Sequence, residues 1–519
     1  MSDVVYLDEE DLLPDMGIEE TSSKTFRAQT DLAYFSEYCF RHPFKNTWFH
    51  QRWYETMQDT RVEKGLIIAP RSSAKSTCWG KIGPLWILGN NVDTRILLVS
   101  RTATLAKRDM RFIRTHIENN NRVHEVFPDL KPSSPWGEDA ITVVNNRNDG
   151  DASVNAVGLG GSVTGLRADL IVCDDLIDKN NVMTAGQREK VNDFWNETVM
   201  GTLEPDGRIF LVGTRFHNKD FYSRMFDDKE YKDNTFMFPA LELDEKGEYK
   251  LNEKGEMISY WPERWPVSRL LKRREDMGSL AFASQYMCDP SGYEGRIFDP
   301  EHLQYYDPEK ELLPIWGRLE FVMAVDPNIT EDPSSDNTAI ITGALDRRYS
   351  TLYIIDMYAK PLDFIGQLKV MKQYGRRIQV KAVNLLQPEM RISKIGVEAV
   401  AYQRALQQTT YFQGLPVVQI QHQKTDKNVR ILRIQPHIEN GRVKFPKSAE
   451  DVQPHWWDGF YEEYCTFPRG RRDDRLDALE TLISMVSSSF GESGIPWGPT
   501  DVRMRRRDGW QDVPGWLQR

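Results

Sequence analysis

Four short apolar runs, GLIIAP (65–70), RILLVS (95–100), ADLIVCDD (168–175) and RIFLVGT (208–214), each give way to small or polar residues and then to a longer amphipathic stretch. Strands that are apolar at nearly every position are buried on both faces, which happens in parallel sheets covered by helices. The region from Thr30 to about Phe226 is therefore expected to be an α/β domain with a parallel sheet and helices on both faces. A second series begins at EFVMAVDPN (320–328) and continues through NTAIITGALD, STLYIIDMYA, KIGVEAVA and LPVVQIQ, with helical stretches at LDFIGQLKVMKQYGRR and RLDALETLISMVSSS. Two α/β domains in one chain fit its 519 residues, at a scale of about 150 residues per domain.

Between the two series the text changes. LDEKGEYKLNEKGEMISYW reads as a charged hairpin with Gly turns, and WPVSRLLKRREDMGSLAFASQY as a helix pair after a Pro start. The expected organisation is an acidic flexible tail at 1–30, a nucleotide-binding core at 31–226 and an appended subdomain at 227–290. A linker at 291–312, a second catalytic domain at 313–488 and a C-terminal tail at 489–519 follow. No stretch approaches the roughly 18 uncharged apolar residues of a membrane helix, and the N-terminus lacks a basic-then-apolar signal pattern. The five cysteines include no CxxC pair, which speaks against a zinc site or a disulfide framework and for a reducing cytoplasm. The net charge of −10 argues against a passive nucleic-acid coat but leaves room for a local basic groove.

APRSSAKST (69–77) follows the first strand and precedes an amphipathic segment, which is where a P-loop wraps its backbone N–H groups around phosphates. Arg71, Ser72, Ser73, Ala74, Lys75, Ser76 and Thr77 make up the candidate ATP loop. Lys75 suits the β- and γ-phosphate oxygens, and Ser76 suits Mg²⁺. Ala74 stands where the pattern has Gly, and is expected to keep an ordinary φ. LIVCDD ends in Asp174, the candidate Mg²⁺ partner, and Asp175, the candidate base for the attacking water. LVGT ends in Thr214, placed to sense the γ-phosphate. Gln51, upstream of the first strand, is a candidate adenine reader. Arg167 and Arg71 are candidates for a residue that stabilises transition-state charge, Arg167 from a neighbouring subunit and Arg71 in cis. These features predict a P-loop NTPase.

In the second series, AVDPN puts Asp326 at one strand end, KIGVEAVA puts Glu398 at another, and RGRRDDRLDALE puts Asp473, Asp474 and Asp477 at a helix start. Acids on two strand tips and a helix can converge on a pair of Mg²⁺ or Mn²⁺ ions and cleave a phosphodiester. Asp326, Glu398 and Asp474 are the first candidates, with Asp473 or Asp477 as a further ligand and Asp332 and Asp336 in the adjoining loop. Strand, strand, strand, helix, strand, helix with acids in that order is the arrangement of an RNase H-like nuclease. Lys427, Arg430 and Arg433 recur every third residue, after Lys424, as a basic stripe, and Arg469, Arg471 and Arg472 precede the acids. The stripe suits either a DNA-backbone groove or a solvated face.

In this order PRSSAKST, LIVCDD, LVGTRFH, WPERWPVSRLLKRRE…FASQY, VDPN, VEAVAYQ and DDRLDALE resemble the large terminase subunit of tailed bacteriophages, over roughly residues 30–488. The resemblance implies ATP-driven movement of double-stranded DNA into a procapsid and endonucleolytic cutting of concatemeric DNA. It implies as partners the portal protein, the small terminase subunit and further copies of the chain in a ring, with no membrane. It places the protein in the host cytoplasm, bound transiently to the procapsid and absent from the mature virion. A helicase-like repair or restriction translocase fused to a nuclease is the rival within the enzymes, and a nucleotide-binding scaffold without turnover is the rival outside them.

Overall fold

The computed structural model describes residues 16–41, 45–226, 228–244, 247–293, 297–327, 337–376, 392–398, 415–420, 426–447, 452–470 and 472–490. Among these, two sheets form. The first has eight strands: β1 (Lys64–Ile68), β2 (Ile96–Ser100), β3 (Pro132–Trp136), β4 (Ala140–Val143), β5 (Val154–Gly158), β6 (Ala168–Asp174), β7 (Leu203–Gly213) and β8 (Thr235–Met237). Their order is β3-β4-β5-β2-β6-β7-β1-β8. All neighbours from β5 to β8 are parallel, while β3, β4 and β5 pair antiparallel at one edge.

Strand alternation explains why every position in these runs had to be apolar. Leu66, Ile68, Leu97, Val99, Ile171, Cys173, Ile209 and Leu211 pack into one helical layer. Ile67, Leu98, Leu170, Val172, Phe210 and Val212 pack into the layer on the opposite face. Burying each Leu, Ile or Val contributes about 1.5–3 kcal/mol.

The second sheet comprises β9 (Gln304–Tyr306), β10 (Glu320–Asp326), β11 (Thr338–Asp346), β12 (Thr351–Lys360), β13 (Ile392–Glu398), β14 (Val417–Ile420) and β15 (Val443–Pro446), in the order β14-β13-β10-β11-β12-β15-β9. β10, β11 and β12 form an antiparallel meander, and β13 and β14 add parallel beside β10. This is an RNase H-like core with β15 and β9 appended. Val322, Ala324, Ile341 and Ile354 face the helix Asp474–Val486, and Phe321, Met323, Val325 and Ile340 face the other layer.

Three expected boundaries move. Residues 16–30, expected in a flexible tail, form the helix Met16–Thr30, anchored by the fully buried Ala28 and by a hydrogen bond from Gln29 to the Val126 carbonyl. β8 lies beyond residue 226 yet completes the first sheet beside β1. β9, inside the expected linker 291–312, pairs with β15 of the second sheet. In each case a long-range partner supplies the stabilisation, and local composition carries no trace of it. Residues 1–15 and 491–519 lie outside the described residues.

Candidate nucleotide and nuclease sites

Three adjacent strand tips build the first site. β7 lies between β1 and β6, so Thr214 falls between the loop that leaves β1 and the acids that end β6. Lys75 is buried, and its Nζ donates to Thr214 Oγ1 at 2.8 Å and stands 3.7 Å from Asp175 Oδ1. Asp174 is pushed up to about 8 by burial, by the nearby Asp175 and by Asp109, against a hydrogen bond from Ser76 and the charge of Lys75. Its Oδ1 is buried without a hydrogen-bond partner. A dry carboxylate oxygen in that position is costly unless a cation meets it, which suits the Mg²⁺ role expected of Asp174 with Ser76.

The loop itself departs from expectation. Ala74 does not keep an ordinary φ: it sits in the left-handed region at φ 66° and ψ 14°, and Ser72 does so at φ 61°. The chain reverses there to start the helical run at Lys75, whose first N–H groups have no intrahelical partner. The conformation costs an L-residue roughly 1–2 kcal/mol, so neighbouring contacts must hold it. His50, fully buried on the helix Trp48–Gln58, does so. Its Nδ1 accepts from the Thr47 N–H at 3.1 Å, which puts the proton on Nε2, and Nε2 then donates to the Ser73 carbonyl at 3.0 Å. Trp265 Nε1 reaches the Ser72 carbonyl at 3.5 Å, and the Arg71 N–H donates to the Gln285 carbonyl at 3.0 Å.

Gln51 is exposed on the helix that carries His50, so the loop contact belongs to its neighbour. Arg71 is exposed at the loop, while Thr77 continues the helical run. Arg167 precedes the N-terminal end of β6, the edge opposite Asp174, and its guanidinium lies 4.0 Å from Asp151. A strand of this length spans about 3.3 Å per residue, so Arg167 is out of reach of its own chain's loop and can act on ATP only across a subunit boundary. Asp109 adds an acid that no strand-end motif signals. It is buried on the helix Ala103–Asn119, 3.6 Å from Lys81, and burial raises its pKa.

The tip of β7 also meets the rest of the molecule. Tyr222 donates to the Val212 carbonyl at 3.1 Å and accepts from the Leu176 N–H at 3.3 Å. A Cβ on Gly213 would lie 2.1 Å from the Tyr222 hydroxyl, so only glycine lets that ring cross the strand. Ser284 Oγ donates to the Arg215 carbonyl at 2.6 Å. The helix Ser279–Gln285 therefore touches both the phosphate loop and the strand tip. At its other end, Ser279 donates from N and Oγ to Glu439 of the second domain at 2.9 and 2.7 Å.

The second site lies where β10, β13 and the helix Asp474–Val486 meet. Val325 is paired with Val397 in parallel register, which sets Asp326 and Glu398 at the same edge of neighbouring strands. The side chain of Glu398 is outside the described residues, as are Asp332, Asp336, Lys424 and Arg471. Asp474, the first residue of the helix, is buried and accepts from Asn337 N and Nδ2 at 3.2 and 3.0 Å. Lys427 reaches Asp473 at 2.8 Å and Asp477 at 3.4 Å. Burial opposes the charge on Lys427, but Asp477, Asp473 and Asp326 outweigh it and hold its pKa above the usual lysine value. Among the described residues no three His, Cys, Asp or Glu side chains come close enough together to hold a metal ion.

The basic stripe faces neither DNA nor solvent. Arg430 is buried, 3.3 Å from Asp477 and 3.9 Å from Glu480, and Arg433 lies 3.9 Å from Glu480. Burial pushes Glu480 up to about 7 despite those two cations. The stripe instead packs against the acids of the helix Asp474–Val486 and fixes where that helix begins.

Residues 323–486, from β10 to the end of that helix, match the terminase RNaseH-like domain family. The terminase large subunit of Enterobacteria phage T3 is 27% identical over 227 residues, which cover 40% of this chain and 38% of that protein. The large terminase of a thermophilic bacteriophage aligns over 89% of this chain and 98% of its own at 8% identity, with a TM-score of 0.45. The nuclease domain of the P22 large terminase aligns over 37% and 93% at 15% identity, with a TM-score of 0.26. The nuclease of the phage G20c large terminase, solved with bound magnesium, aligns over 37% and 97% at 11% identity, with a TM-score of 0.26.

Proposed function

With residues 323–486 a terminase RNaseH-like domain, we propose that the chain is the packaging motor and nuclease of a tailed phage. In this reading ATP hydrolysis at the β1–β7–β6 tips drives double-stranded DNA into a procapsid, and the second domain cuts the concatemer at the start and end of packaging. One observation carries it: a buried Lys75–Thr214–Asp174 constellation is joined, in the same chain, to a terminase nuclease fold.

Each residue has a definable task. The left-handed turn at Ser72 and Ala74 aims backbone N–H groups at the phosphates. Lys75 binds β- and γ-oxygens, and leaves Thr214 to do so. Thr214 then reports the presence of the γ-phosphate through β7 to Arg215, Ser284 and Glu439. Asp174 and Ser76 would hold Mg²⁺, which when bound neutralises the phosphate charge. Asp175 orients the attacking water. Arg71 in cis, or Arg167 from a neighbouring copy, stabilises charge on the transferring group.

In the second domain Asp326, Glu398 and Asp474, with Asp473 or Asp477, would hold Mg²⁺ or Mn²⁺. Carboxylate oxygens are the donors such hard cations take, and those cations supply water activation and leaving-group stabilisation. Lys427 neutralises the acids until then. The proposed partners are duplex DNA, the portal protein, the small terminase subunit and further copies of the chain in a ring, in the host cytoplasm. Packaging of linear DNA into purified empty capsids tests the reading. ATP-dependent protection of that DNA from added nuclease is expected, and ATP turnover without any DNA entering the capsid would overturn it.

A further inference from the structure

Between the two domains lies a cavity of about 340 Å³. Arg188, His217 and Lys219 of the first domain line it, together with Asn428, Phe467 and Arg469 of the second. Among the described residues its lining includes no carboxylate, although the chain as a whole carries a net charge of −10. The Arg188 guanidinium is held by the Val182 and Met183 carbonyls at 2.6 and 3.0 Å, contacts that fix its direction without neutralising it. Lys219 stands in the loop that leaves β7 after Thr214, and Asn428 directly follows Lys427. The same boundary holds a second gathering of cations. Lys179 is buried there, and its pKa is driven well below the lysine value by burial and then by Arg71 and Arg433.

A pocket with cations from two domains and no acid among its described lining is built to take oxyanions, and arginine pairs with phosphate through two parallel hydrogen bonds. We propose that this cavity binds backbone phosphates of the DNA duplex, so that the loop leaving β7 and the start of the nuclease helix Lys427–Ile431 hold the same stretch of nucleic acid. The proposal rests on the DNA-handling reading above. It goes beyond that reading by assigning Arg188, Lys219 and Arg469 to a phosphate site away from both reaction centres.

Free phosphate and nucleotides present the same oxygens, so the test separates the sources. Full-length Lys219→Ala, Arg469→Ala, the double variant and a Lys254→Ala control are titrated with a fluorescent duplex across a salt series. Lys219 and Arg469 are exposed, so the fold is expected to survive, which melting curves check. The slope of log affinity against log salt should fall by about one for each cavity residue removed and not for the control. An unchanged slope in the double variant, or an equal fall in the control, overturns the site. Weaker binding of inorganic phosphate or ADP with the duplex slope intact overturns it in favour of a free-anion site. Failure of the unmutated chain to bind duplex at all would instead remove the DNA-handling reading.

Discussion

His50 is buried between Thr47 and Ser73 and keeps the phosphate loop in a backbone shape that its own residues disfavour. Replacing it with Leu leaves the Thr47 N–H and the Ser73 carbonyl unsatisfied, at a cost of about 1–3 kcal/mol. Calorimetry with ADP should show weakened binding, and unchanged affinity would mean that the loop does not need this brace. Asp174 gives a pH signature. Its folded pKa lies well above the ordinary carboxylate value, so the folded state holds a proton that the unfolded state releases. That contribution is fully present below the unfolded value near 4 and is lost as pH rises toward 8. In metal-free buffer, Asp174→Asn should gain stability over the unmutated chain progressively across that range; a constant difference in melting temperature would contradict the assignment. Lys75, Asp174 and Thr214 are legible in the sequence because each sits at a fixed offset from a strand end. His50 and Asp109 are not, because each reaches its site from a helix that only the tertiary fold brings there.

Among the elements, the tip of β7 and the helix Asp474–Val486 are the most constrained. Gly213→Ala drives a methyl into Tyr222, and the expected cost is about 1–3 kcal/mol. Tyr222→Phe should not relieve it, because the Cβ would also lie 2.3 Å from the ring carbon Cζ, whereas Tyr222→Ala should in part. Denaturant unfolding of the two double variants decides the point, and recovery with Phe would place the clash elsewhere. Removing one partner of a buried pair is costlier: Arg430→Met strands Asp477 and Glu480, at about 3–5 kcal/mol. Pairing it with Glu480→Met should return most of that, and an additive loss would show that the two side chains do not interact. The stripe 427–430–433 is visible as a period in the sequence. What it faces is not, since spacing sets which residues share a helix face and leaves open whether water, DNA or another helix lies opposite. For the same reason the sequences of β8 and β9 read as subdomain and linker: three-residue strands depend on their partners.

At the scale of the molecule, the helix Ser279–Gln285 links the two halves. Its C-terminal end meets the phosphate loop and the β7 tip, while Ser279 is bonded to Glu439. Loss of the γ-phosphate contact at Thr214 therefore has a short covalent and hydrogen-bonded route to the nuclease domain. The central claim is that one chain carries two separable reactions. It is tested most directly by measuring ATP turnover and metal-dependent nicking of plasmid side by side on Lys75→Ala and Asp326→Ala. The account predicts opposite losses: Lys75→Ala without turnover but still nicking, and Asp326→Ala turning over ATP but no longer cutting. Turnover that survives Lys75→Ala, or cutting that survives Asp326→Ala, would contradict it.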